Sequence, residues 1–166
     1  MAKYISNVAG QLTEVAGLAT SAGAGDAGKI PQLDGTGRLD TSMMPVGIGA
    51  DTATITTSEA LAAGDLVNVW NSTGAKVRKA DASVAGKEAH GFVLAAFGSA
   101  ASATVYFEGT NTQITGATPG PLFLSTTPGL TTSTAPSSAG NVVQRVGFAT
   151  ATTAMNFQSQ PPITLV

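Results

Sequence analysis

The chain has 166 residues, of which 43% are hydrophobic and only 11% charged, with eight basic against ten acidic side chains and a formal net charge of −2. No basic stripe exists to neutralise a phosphate backbone, so nucleic acid is not expected as a partner, and no apolar run reaches the length of a membrane span. With no cysteine in the chain, disulfides and thiolate metal sites are excluded.

The opening MAKYISNVAG carries one lysine and no apolar stretch, unlike a secretory signal. From residue 3 to residue 20, Ile5, Val8, Leu12, Val15 and Ala19 recur at intervals of three and four, the spacing of an a/d seam. The seam spans barely two heptads, and Gly10 and Gly17 would each weaken a helix by about 1 kcal/mol relative to alanine. A short helix that needs a partner surface and an irregular docked arm are the two readings of this segment.

Residues 23–30, GAGDAGKI, match the letter spacing of a phosphate-cradling loop. Ile30 stands where that loop needs a hydroxyl for Mg²⁺. Pro31 disfavours the helix that should begin at Lys29, and no buried strand is expected before Gly23. The stretch reads as linker.

Glycine and proline punctuate residues 21–52, with turns expected at Asp34-Gly35 and Gly37. Ile30, Leu33, Leu39, Met43 and Met44 stand between these turns singly or in pairs. Isolated apolar side chains on a contour-following backbone suit shallow pockets on another molecule. Together with Ile5, Val8, Leu12 and Val15, they form the expected partner interface.

From residue 53 the period changes to two, the period of a strand. DLVNVW (65–70), AKVRK (75–79), AHGFVLAAF (89–97), ATVYFE (103–108), PLFLS (121–125), NVVQRVGFA (141–149), AMNFQ (154–158) and ITLV (163–166) read as strands. NSTG (71–74) reads as a hairpin loop, and Thr118-Pro119-Gly120 and Thr127-Pro128-Gly129 read as two Pro-Gly turns. The fold class expected is all-β: a single β-sandwich or barrel-like domain over residues 53–166, preceded by an extended, partly helical N-terminal arm over residues 1–52.

Residues able to do chemistry are few. His90 is the only histidine and stands alone at the start of an apolar strand, without the Cys or Glu/His spacing of a zinc site. No G-x-S-x-G elbow is present. Glu88, Glu108, Asp65 and Asp81 are carboxylates that nothing in the sequence pairs, and solvated strand ends explain them better. Asn71-Ser72-Thr73 has the letters of a glycosylation sequon but reads as a turn. Trp70, the only tryptophan, could stack on a sugar, although core packing is its commoner use. No catalytic residue, metal or cofactor is expected, and the chain reads as a non-enzyme.

Two stretches read together resemble tailed-bacteriophage virion structural proteins. AGKIPQLDGTGRLDTSMMP (27–45) is similar to an N-terminal segment of many phage head and tail proteins, with Met43-Met44 where leucines are more usual. The β region, from LAAGDLVNVWNSTGAKVRKADAS to the closing QPPITLV, resembles a module of capsid decoration (cement) and head-fibre proteins. The resemblance implies a protein made in the host cytoplasm and carried on the capsid surface of the virion. Its implied partners are the major capsid protein and further copies of itself, as a homotrimer. A tail-fibre or baseplate module, with or without host-glycan binding, is the alternative it leaves open.

Overall fold

The computed structural model describes residues 3–44 and 50–166, and of Val8 the backbone only. The chain divides between Gly49 and Ala50 into two compact units. Among the described residues both are built from strands and turns, with two single-turn 3-10 helices and no α-helix.

The N-terminal unit overturns the helical reading of its first segment. Strands β1 (Lys3–Val8) and β2 (Gln11–Ala16) form an antiparallel hairpin in which Lys3 faces Ala16 and Val8 faces Gln11. The deciding residues are Ala9 and Gly10, at φ 51° and 86°. Two consecutive positive φ values make the tight turn whose twist matches a hairpin. Gly10, read as a flaw in a helix, is what the turn requires. Register then splits the heptad seam between two faces. Ile5 (opposite Glu14) and Leu12 (opposite Asn7) share one face, while Val15 stands on the other, opposite Tyr4.

Beyond the hairpin, the Leu18 N–H donates to the Ile30 carbonyl at 2.9 Å and the Gln32 N–H donates to the Leu18 carbonyl at 2.9 Å. The segment thus closes on itself around the 3-10 turn Ala24–Asp26. A second turn, Thr41–Met43, is capped by the Asp40 carboxylate, which accepts from the Ser42 N–H at 2.9 Å.

The larger unit contains a closed barrel of β3 (Thr52–Thr57), β4 (Leu66–Asn71), β5 (Ala75–Lys79), β6 (Gly91–Phe92) and β7 (Ser102–Tyr106). β3 closes it, pairing parallel with β5 (Thr57 beside Val77) and antiparallel with β7 (Thr52 beside Tyr106). Val67 and Val77 turn inward, as the period-two pattern predicts, and pack with Leu61, Val93, Ala103 and Val105.

The chain continues through β8 (Gly109–Asn111), β9 (Gly120–Leu124), β10 (Thr131–Thr132), β11 (Val142–Val143), β12 (Arg145–Ala151), β13 (Ala154–Phe157) and β14 (Ile163–Thr164). A five-stranded sheet runs in the order β10-β9-β12-β13-β8, and β11 pairs with β14. The domain is therefore a barrel with further sheets rather than a single sandwich or a barrel alone. Leu66, Phe92, Leu122, Leu124, Val146, Met155 and Phe157 form a second core, joining side chains of the barrel strands to those of the sheet. Phe92 lies 5.4 Å from Tyr106 and 5.5 Å from Phe157, ring centre to ring centre. Phe92 and Val93 serve different cores, which explains why their neighbourhood is apolar without alternation.

Gly147 marks a bulge where the register of β12 against β9 shifts. Its φ is 139°, and a Cβ there would lie 2.0 Å from the Asn156 carbonyl oxygen. Only glycine fits such a site. Of the two Pro-Gly turns, Thr127–Leu130 closes as expected, with Gly129 at φ 83° and the Leu130 N–H donating to the Thr127 carbonyl at 3.2 Å. Gly120 instead opens β9.

Candidate interaction surfaces

The expected interface residues whose side chains are described share one property: none is buried. Exposure runs from 42% at Met44 to 77% at Leu12, with Ile5, Ile30, Leu33 and Leu39 between, while Val15 and Met43 are half-buried. The Val8 side chain lies outside the described residues. Among the described residues, Gly17 is the only buried one between 3 and 44, and the buried hydrophobic residues all fall between Leu61 and Phe157. Ile5 and Leu12 share one hairpin face, Val15 stands on the other, and Ile30, Leu33, Leu39, Met43 and Met44 follow along the loops and turns beyond. Tyr4 is paired with Val15 across the hairpin, a pairing not legible in the sequence because it is set by the turn at Ala9-Gly10.

Local hydrogen bonds hold these turns. One Asp34 oxygen accepts from the Thr36 N–H at 2.8 Å, the Thr36 hydroxyl at 2.7 Å and the Arg38 N–H at 3.0 Å. The Arg38 amide, with help from both Thr36 donors, keeps that carboxyl below the usual carboxylate range. Asp40 is lowered by the Ser42 hydroxyl and then its amide. Asp26 is lowered first by the Lys29 ammonium, 2.6 Å away, and then by the Ala22 N–H. Lys29, the would-be phosphate ligand, is therefore tied to an aspartate, and no helix follows it.

The carboxylates of the β domain sit apart in structural roles. Asp65 is buried, accepts from the Ala62 N–H at 2.8 Å and lies 3.3 Å from the Lys79 ammonium. Asp81 accepts from the Ser83 N–H at 2.8 Å. Glu108 is exposed. The Arg78 guanidinium lies 4.5 Å from the centre of the Trp70 ring, and the Trp70 indole N–H donates to the Ser58 hydroxyl at 3.3 Å. The aromatic face is thus engaged by a cation within the domain.

One polar cluster stands out. Gln144 is 2% exposed and pins the segment at 89 to the segment at 159–160. Its Oε1 accepts from the Ala89 N–H at 2.7 Å, and its Nε2 donates to the Ala89 carbonyl at 3.0 Å and to the Ser159 hydroxyl at 2.8 Å. Above it opens a shallow pocket of about 340 Å³, lined also by Glu88, His90, Gln160, Pro161 and Pro162. His90 Nδ1 accepts from the Val69 N–H at 3.1 Å, which leaves the ring proton on Nε2. Glu88 Oε1 accepts from the Gly86 N–H at 2.9 Å. Sequence reasoning passed over Gln144, because a glutamine in an apolar strand carries no motif. No protein-family model, curated protein or solved structure matches the chain.

Proposed function

We propose that the chain is a non-enzymatic structural protein of a phage virion, a capsid decoration protein whose N-terminal unit docks on the major capsid protein. In this reading it acts as a homotrimer on the capsid surface. The observation that supports the reading is the division of apolar side chains. Residues 61–157 build two buried cores, with Val84, Leu130 and Phe148 left exposed, while between residues 3 and 44 no described apolar side chain is fully buried and Ile5, Leu12, Ile30, Leu33, Leu39 and Met44 are exposed. Side chains displayed in this way gain by covering against a partner surface, at about 25 cal/mol per Å² of apolar surface covered. Binding to the assembled shell alone would stabilise that shell by mass action.

The test uses particles stripped of this protein. The full chain is expected to rebind and a fragment of residues 50–166 is not; Leu12→Ser with Leu33→Ser should weaken rebinding by tenfold or more. Rebinding of the fragment with unchanged affinity would place the contact on the β domain and overturn the reading. A band of only a few copies per particle would favour a fibre or baseplate position instead.

A further inference from the structure

We infer that the pocket above Gln144 is a binding site for a neutral saccharide, held by Glu88, His90 and Gln160 against the wall of Pro161 and Pro162. The inference stands on the β domain alone and does not depend on how the N-terminal unit docks. The volume, about 340 Å³, lies at the lower end of the range of roughly 300–1,000 Å³ typical of small-ligand sites.

The groups at the rim select the ligand class by elimination. Glu88 lines the pocket and no lysine or arginine does, so an anion would meet repulsion without compensation. A divalent cation would find one carboxylate and an imidazole whose Nδ1 lone pair already accepts from Val69. A wholly apolar ligand would desolvate the carboxylate and the amides without replacing their hydrogen bonds. A ligand with several hydroxyl groups satisfies every requirement at once. The second Glu88 oxygen, His90 Nε2–H and the Gln160 side-chain amide have no hydrogen-bond partner among the described residues, and together they supply acceptors and donors for neighbouring hydroxyls. The two proline rings offer a rigid C–H surface to the apolar face of a sugar ring.

The floor adds preorganisation. Gln144 makes its bonds inside the protein and holds both sides of the cup at fixed spacing, so little side-chain freedom is lost on binding at that level. A buried, fully bonded glutamine beneath rim side chains that each keep a free donor or acceptor distinguishes this pocket from an ordinary surface dent.

Isotope-labelled full-length protein titrated separately with maltose, lactose and chitobiose provides the test. At least one of these sugars should produce saturable shifts in the amides of residues 86–90 and 158–160 and in the Gln144 side-chain amide. Glu88→Gln, which keeps the bond from Gly86, and Gln160→Ala, at an exposed side chain, should each weaken that binding, by about tenfold for the charge-assisted contact. Inorganic phosphate and calcium ions should leave these resonances unmoved. Absence of localised shifts with all three sugars would overturn the inference. So would binding that both variants retain in full, or shifts given by phosphate, by calcium or by a proline-rich peptide in place of the sugars.

Discussion

Asp34 shows how a single side chain can fix a segment that has no core. Its carboxylate closes the turn 34–38 by accepting three hydrogen bonds, and the pKa of the folded form is lowered from 3.8. A carboxyl lowered on folding contributes stability above its unfolded pKa and loses it as pH falls through the folded value. The turn is therefore expected to persist from neutral pH down through 3.8 and to open only in stronger acid. Amide chemical shifts of Thr36 and Arg38 followed through an acid titration would check this, and Asp34→Ala should show the open spectrum at every pH. Asp34-Gly35 was legible as a turn from residue type alone, because Asx and glycine favour turns locally. The roles of Gln144 and Gly147 were not. Both depend on atoms more than fifty residues away or on a neighbouring strand, as with Ala89 and Asn156.

Among the elements, the hairpin β1–β2 was read as a short helix or an irregular arm, and neither is what forms. Its spacing of three and four satisfies a helical seam, but the same residues also satisfy two strand faces once Ala9 and Gly10 turn. Spacing alone could not choose between them, since two heptads are too few to outweigh a good turn. Strands whose two faces differ were legible: β4 and β5 fall within a residue or two of their patterns, with three residues, 72–74, rather than four in the loop. The 89–97 run shrank to Gly91–Phe92 because its apolar residues feed two cores through irregular backbone. Ala9 also offers a lever. Alanine at φ 51° costs about 1–2 kcal/mol that asparagine largely avoids. Ala9→Asn should raise the stability of the hairpin by about 1 kcal/mol, read from slower amide exchange across residues 3–16, and should leave the β domain unchanged. A shift of those amides toward helical values would contradict the turn as described.

On the scale of the whole molecule, cooperative unfolding belongs to residues 50–166, where both cores lie. Calorimetry of that fragment should give a midpoint within a few degrees of the full chain, a shift worth about 1 kcal/mol for a domain of this size. A much larger drop would mean that the N-terminal unit shares in the stability of the β domain. The closure of the barrel also has a consequence for synthesis. β3 pairs with strands lying up to residue 106, and the second core waits for Met155 and Phe157. Such non-local pairing is slow to form. On the ribosome, the second core must remain open until residues 155–157 have emerged, whereas the hairpin can form as soon as residues 3–16 emerge. Ile5 and Leu12 on that hairpin would then be displayed to the surroundings of the nascent chain before any barrel exists.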